Sequence, residues 1–297
     1  MNRIKVLSLE LGDPIDDING LDGYSSLRAL LRWHTEPVGY IDVPLRQGMC
    51  SATTLKAAIA RTQSYKLLQT VTRDELDSII NPAPPADDPD NGTSDSSHRL
   101  SVSVAVCTRD RADQLRDCLA SLRTLVHPDI EILVVDNAPS TNQTRDLVQE
   151  EFPEFHYVLE PRPGLDWARN RAISAASGDI LAYTDDDVIV DPQWVGGLMR
   201  VFEADANVTA VTGLVAPYEL ETDAQIMFEN YGGFGRGFQR TWYRSAPGYE
   251  RRATQYIGAG RFGTGANMAF RRSVFNRIGL FDPALDVGTV TNGGGDL

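Results

Sequence analysis

"ILAYTDDDVIVDPQW", Ile180 to Trp194, runs an apolar segment straight into three consecutive aspartates and then resumes with Val188, Ile189 and Val190. Two like charges about 4 Å apart cost roughly 4 kcal/mol at an effective dielectric of about 20, so the triplet needs something to offset it. Ile180 to Thr184 reads as a short buried strand. The carboxylates then sit at its C-terminal end, where open α/β sheets bind ligands. If the backbone stays extended through the triplet, Asp185 and Asp187 share one face and Asp186 points the other way. That arrangement is a two-carboxylate clamp suited to a hard divalent cation; a solvated turn capped by Asp is the plainer alternative.

Working outward, the surrounding rhythm is strand, helix, strand, helix, which predicts a mostly parallel sheet. "LSVSVAVCT" reads as a strand and "RADQLRDCLASLRTL" as an amphipathic helix with Leu115, Leu119 and Leu122 on one face. "IEILVVDN" is a second strand, "TRDLVQEEF" a helix, "HYVLEP" a strand, and "DWARNRAISAAS" a helix closed by Gly178. Three strand ends finish in polar residues: Thr108-Arg109-Asp110, Asp136-Asn137 and the aspartate triplet. In a parallel sheet such ends lie along one edge, so residues far apart in sequence converge on one crevice. Taken singly, Asp136 reads as a turn residue and "CTRDR" as a helix cap.

Arg162, Arg169 and Arg171 form a basic group in an acidic protein. Arg169 and Arg171 follow Asp166 on one helix, so at least one can face the crevice; surface solvation is the alternative. Further on, "GRFGTGANMAFRRSVF" places Gly260, Gly263 and Gly265 where backbone can approach a ligand closely. Their spacing matches neither a Walker loop nor a dinucleotide fingerprint.

The 297 residues leave room for two folded units with real cores. With 28 Lys and Arg against 41 Asp and Glu, the formal charge of −13 argues against a nucleic-acid footprint and a polybasic membrane anchor. Cys50, Cys107 and Cys118 are odd in number and lack a CxxC pairing, which argues against a disulfide framework or zinc site. No apolar run reaches about 18 residues and no signal-peptide core opens the chain, so no transmembrane segment and a cytoplasmic location are expected.

"NPAPPADDPDNGTSDSSH", Asn81 to His98, lacks large apolar residues and reads as a flexible linker. Upstream, "IKVLSLEL" alternates like a half-buried strand, "SLRALLRWH" and "VGYIDVPL" flank "TEP" like a hairpin, and "SATTLKAAIARTQ" opens a helix on a capping Ser or Thr. This small α+β module shows no chemistry of its own, and its Trp33 and Tyr40 read as core or rim.

From Val102 onward, "VSVAVCTRDR", "EILVVDNAPS", "GLDWARNRAISAASGDILAYTDDD", "GTGANMAFRRSVF", "IGLFD" and "GGGDL" form an ordered set. As a set they resemble a family 2 glycosyltransferase with the GT-A fold, a Rossmann-like, mostly parallel sheet with flanking helices. The expected division is a module over 1–80, a linker over 81–99 and a GT-A domain over 100–297.

The resemblance implies roles for particular residues. Thr108, Asp110 and Asp136 would line the nucleotide pocket, with Asp136 bonding the base edge. Arg169 would approach the base or diphosphate, and Asp186 would join the donor-binding set. Asp185 and Asp187 would be the DxD pair, Asp187 reaching Mg²⁺ or Mn²⁺ and Asp185 the ribose or a metal-bound water. The implied partners are a nucleoside-diphosphate sugar, first a UDP-sugar with guanine and thymine also allowed, and a carbohydrate or other hydroxyl acceptor. The implied reaction is inverting transfer. Asp296 in "GGGDL" would be the general base, although Gly295 stands where the family has Glu and the family continues into a helix beyond position 297. On that pattern a domain truncated at its C-terminus is one explanation and a natural end at position 297 the other. Asp282 is a second candidate base, or closes a turn. Two other readings stay open: a haloacid-dehalogenase-like phosphatase using Asp185 and Asp187, and a non-catalytic protein that binds sugar nucleotides.

Overall fold

A computed structural model describes residues 3–80, 99–243 and 262–286. The chain divides into two units, Met1–Ser97 with Ala216–Thr241, and His98–Val215 with Trp242–Leu297. The linker sequence, apart from Arg99, lies outside the described residues.

In the first unit β1 (Ile4–Glu10) pairs in parallel with β2 (Ser26–Trp33), and β2 pairs antiparallel with β3 (Glu36–Pro44). The expected hairpin turns through His34 and Thr35, both left-handed at φ 49° and 68°. That turn matches the twist of the strands but normally calls for Gly or Asn. Here the Glu10 carboxylate accepts both exposed amides, from His34 at 3.1 Å and Thr35 at 2.9 Å. Helix α1 (Ala52–Ile80) starts as read, with the Ser51 hydroxyl accepting the Thr54 N–H at 3.3 Å. It covers a core built on Leu27, Leu31, Ile41 and Leu55.

The second unit opens with β4 (Val102–Thr108), α2 (Ala112–Leu122), β5 (Ile130–Asn137), α3 (Gln143–Glu151) and β6 (His156–Glu160). It continues through α4 (Leu165–Ala175), β7 (Ile180–Asp185), α5 (Trp194–Ala204) and β8 (Ala210–Thr212). The chain then re-enters the first unit, where α6 (Asp223–Tyr231) follows a strand-like contact between Leu220 and Ile4. Glu221 there meets Arg3 and the Tyr24 hydroxyl, Glu229 meets Arg28 at 3.4 Å, and Phe238 packs edge-on to Tyr40. Returning to the second unit, β9 (Met268–Arg271) completes a six-stranded sheet ordered β6-β5-β4-β7-β9-β8. The first four of these strands run parallel; β9 is reversed against β7, and β8, paired antiparallel with β9, runs in the direction of the first four. This is the mostly parallel sheet with flanking helices that the sequence pattern predicts.

Alternation along β4 decides which helix lies where. Val102, Val104 and Val106 face a core shared with Leu115 and Leu119 of α2, Val148 of α3 and Phe202 of α5. Ala105 faces the other way, toward Ala168 and Ala172 of α4 and Tyr183 of β7. Each large side chain so buried contributes about 1.5 to 3 kcal/mol. Among the described residues no helix is long and apolar enough to cross a membrane.

Gly178 is needed for a different reason from the expected helix cap. Helix α4 ends at Ala175, Ala176 is already extended, and Gly178 is not among the left-handed glycines. A Cβ at Gly178 would lie 2.6 Å from the Ser103 amide nitrogen and 2.8 Å from the Val102 carbonyl carbon. The requirement is space against the start of β4. Gly178→Ala is therefore expected to lower stability by about 1 to 3 kcal/mol through overpacking. Denaturant unfolding checks this, and an unchanged midpoint would mean that the loop moves aside freely.

Candidate active site

The register of the sheet brings the predicted strand ends together. Thr108 lies opposite Asp136 across β4 and β5, and Cys107 lies opposite Asp185 across β4 and β7. Strand β4 is where the order reverses, since β5 and β6 extend one way and β7 the other. Crevices at such switch points are where open α/β sheets place ligands.

The triplet does not keep extended geometry. Strand β7 ends at Asp185, and a turn follows in which the Val188 N–H reaches the Asp185 carbonyl at 3.3 Å. Asp186 therefore folds inward. It is only 4% exposed, and its carboxylate accepts the Thr108 hydroxyl and the Arg111 guanidinium, both at 2.7 Å. Burial raises the Asp186 pKa, while the Thr108 hydrogen bond and the Arg111 charge oppose that shift. Asp187 turns outward, with its side chain 52% exposed, and meets the other arm of Arg111 at 3.0 Å. The Cys118 thiol donates to the Asp185 carbonyl at 3.4 Å, tying α2 to the end of β7. Burial pushes the Cys107 and Cys118 thiols up to about 12, so both are inert packing groups here.

Asp136 is fully buried. Its Oδ2 accepts the Tyr157 hydroxyl at 2.9 Å, and its Oδ1 has no hydrogen-bond partner among the described residues. A buried carboxylate oxygen left unpaired costs energy and is an acceptor ready for a donor N–H. Asp110, left-handed at φ 54°, accepts the Ser140 amide at 2.8 Å and its hydroxyl at 2.9 Å. It thereby ties the loop after β4 to the loop after β5, and these bonds hold its pKa below the ordinary value.

The three arginines separate. Arg169 is buried and bonds Asp166 at 3.1 Å, with its guanidinium 5.4 Å from the Phe281 ring centre. The Tyr183 hydroxyl of β7 donates to the Arg169 carbonyl at 2.9 Å, tying α4 to that strand. Arg162 pairs with Glu160 at 2.7 Å and stacks over Trp167 at 3.7 Å. Arg171 is exposed. Asn137 clamps the loop before α4, donating to the Arg162 carbonyl at 2.7 Å and accepting the Gly164 N–H at 2.9 Å. In the glycine-rich stretch, a Cβ on Gly263 would lie 2.5 Å from Thr212, at a φ of +146°. Asn267 accepts the Trp194 indole N–H at 2.9 Å. Gly260 and Asp296 lie outside the described residues. Asp282 caps a 3₁₀ turn by accepting the Ala284 N–H at 3.0 Å, the turn-closing alternative of its two readings.

Sequence reasoning gave no role to Arg111. The signal was partial: three adjacent carboxylates call for a cation, but Arg111 is singled out only by the pairing of β4 with β7.

Among the described residues no three His, Cys, Asp or Glu side chains are grouped closely enough to enclose a metal. The donor chemistry nonetheless fits a hard divalent cation. Asp185 and Asp187 supply carboxylate oxygens at one turn, Asp187 is half exposed, and substrate phosphates commonly complete such sparse sets.

Asp136 gives the site a pH signature. A carboxyl whose folded pKa is raised stabilises the fold below its unfolded pKa, and that contribution is lost as pH rises through the folded value. Asp136→Asn removes the charge and keeps an acceptor for Tyr157. It is expected to gain about 1 to 3 kcal/mol at pH 7, a gain that shrinks toward about pH 4. Urea unfolding of both proteins from pH 4 to 8 checks this; a pH-independent difference would assign the effect elsewhere.

Residues 103–279 match the model of glycosyl transferase family 2. Among similar proteins, the glucosyl-dolichyl phosphate glucuronosyltransferase of Haloferax volcanii is 24% identical over 189 residues, covering 62% of this chain and 56% of that protein. The validoxylamine A glucosyltransferase of Streptomyces hygroscopicus subsp. jinggangensis is 32% identical over 130 residues, covering 42% of this chain and 31% of its own. A solved mannosyltransferase, PcManGT from Pyrobaculum calidifontis in complex with GDP-Man and Mn²⁺, aligns at 20% identity with a TM-score of 0.45, over 76% of this chain and 59% of that one. The matched stretch thus spans between about a third and somewhat over half of these proteins' own lengths. Through residues 103–279, the chain belongs to glycosyl transferase family 2.

Proposed function

We propose that the second unit transfers a sugar from a nucleoside-diphosphate donor to a hydroxyl acceptor with inversion at the anomeric carbon. The observation that carries this reading is the convergence at one sheet edge of Asp136, with an unpaired buried acceptor, and the outward carboxylate of Asp187. A uracil or guanine edge offers the N–H that Asp136 Oδ1 lacks, and Asp110 and Thr108 flank it. Asp185 and Asp187 are the residues to hold Mg²⁺ or Mn²⁺. When bound, the cation would act as a Lewis acid on the leaving diphosphate.

The remaining work falls to side chains. The acceptor oxygen attacks the anomeric carbon, the bond to the diphosphate oxygen breaks with its electron pair, and the acceptor proton passes to a carboxylate. Asp296 is the base that the family resemblance implies, and such a group is worth about 10²- to 10⁴-fold in rate. Arg169, buried and paired with Asp166, acts from within the fold rather than as a solvent-facing ligand.

Thermal unfolding with nucleoside diphosphates, with and without Mn²⁺, tests the binding half, and donor turnover with a hydroxyl acceptor tests transfer. Ligand at 100 times Kd stabilises by about 2.7 kcal/mol, a shift of roughly 5 to 10 °C for a domain of this size. Asp187→Asn is expected to abolish the Mn²⁺-dependent part of the UDP shift while the apo protein stays folded; an unchanged metal response would remove Asp187 from the site. Asp136→Ala is expected to weaken nucleotide binding by about 1.5 to 3 kcal/mol and to blur the preference between UDP and GDP. An equal loss for inorganic diphosphate would instead assign Asp136 to the fold.

A further inference from the structure

Arg111 does not close on one carboxylate with both arms of its fork. One arm reaches Asp186 at 2.7 Å and the other reaches Asp187 at 3.0 Å. The two contacts are unequal. The Asp186 side chain is 6% exposed and has Thr108 as a second partner, so its bond to Arg111 is sheltered from solvent. Asp187 is 52% exposed and Arg111 45%, so their contact is open to water and salt. If the pair separates, the Asp187 arm releases first.

The surroundings confine any such movement to side chains. The Arg111 carbonyl accepts the Leu115 N–H at 3.0 Å, which anchors its backbone to the first turn of α2. The Asp185 carbonyl is held by Cys118. Between these fixed points, the Arg111 guanidinium and the Asp187 carboxylate share an exposed contact that rotation of either side chain can open.

We propose that Arg111 is the resident counter-ion of the aspartate triplet, and that Asp187 passes from Arg111 to the divalent cation while Arg111 remains on Asp186. Arg111 is thus a positioning residue. In the metal-free protein it offsets the mutual repulsion of Asp186 and Asp187, and it makes cation binding an exchange rather than a simple addition. The proposal rests on the reading of Asp187 as the metal ligand. It also sets a sign. A fixed positive charge beside Asp187 opposes a second cation there, so removing it should tighten metal binding even though it loosens the fold.

The test titrates Mn²⁺ into the full chain at saturating UDP, following free Mn²⁺ by electron paramagnetic resonance, with thermal unfolding measured alongside. Arg111→Gln is expected to lower the metal-free melting temperature and to tighten the Mn²⁺ Kd about three- to tenfold, the effect of one unit charge several ångströms away in partly screened surroundings. Arg111→Lys keeps the charge that buried Asp186 needs but cannot span both carboxylates. It is expected to fold even if the Gln variant does not, and to tighten Kd by about twofold. A lowered melting temperature with unchanged or weaker Mn²⁺ affinity in either folded variant would make Arg111 a purely structural residue and overturn the exchange. Absence of Mn²⁺ binding by the unaltered protein with UDP would overturn the metal role of Asp187 itself, and the exchange with it.

Discussion

Strand β4 is paired in parallel on both sides, and the crevice depends on that constraint. With Thr108 in register with Asp136, and Cys107 with Asp185, residues from three distant stretches of chain end at the same level. A one-residue slip of either partner would send the alternating side chains of that strand to the opposite face, exchanging Val134 and Ile132 with Leu133 and Val135 between the two cores. Because both faces are closed by helices, such a slip would disturb packing everywhere at once. The apolar layers on either side of β4 therefore set the geometry of the polar groups at its end.

Around that edge the charges are handled in two ways. Asp186 is buried and matched on one oxygen to the Arg111 guanidinium and on the other to the Thr108 hydroxyl, so its negative charge is spent inside the fold. Asp136 is buried with a hydroxyl donor on one oxygen and nothing described on the other, which leaves part of its desolvation cost uncompensated. Asp187 stays toward solvent. Within one short edge, the structure thus contains a satisfied carboxylate, a half-satisfied one and an accessible one.

Much of this was legible in the sequence because it follows from periodicity. The parallel strands, the leucines of α2 and the meeting of Thr108, Asp136 and Asp185 all come from apolar patterning plus the rule that parallel strand ends share an edge. Family membership, matched over residues 103–279, removes the phosphatase reading that the isolated triplet allowed. What periodicity could not supply was the local turn. Extended geometry predicted alternation through Asp187, but the strand stops at Asp185, and the turn sends Asp186 inward to partners on another strand and loop. Arg111 escaped notice for the same reason, since its role exists only once β4 and β7 are adjacent. Gly178 shows a related limit: its place after a helix suggested a cap, whereas its requirement comes from the backbone of β4, some 75 residues earlier in the chain.

The first unit is assembled from two separated stretches, and this makes its completion late. Leu220, Glu221, Glu229 and Phe238 meet Ile4, Arg3, Arg28 and Tyr40, so partners that touch are more than 190 positions apart. A ribosome must have made most of the second unit before the first can close. A cut anywhere between 81 and 98 would likewise leave the two stretches as separate molecules that still fit one another. Nicked protein would behave as a split pair, with residues 216–241 serving as the docking peptide for the amino-terminal piece.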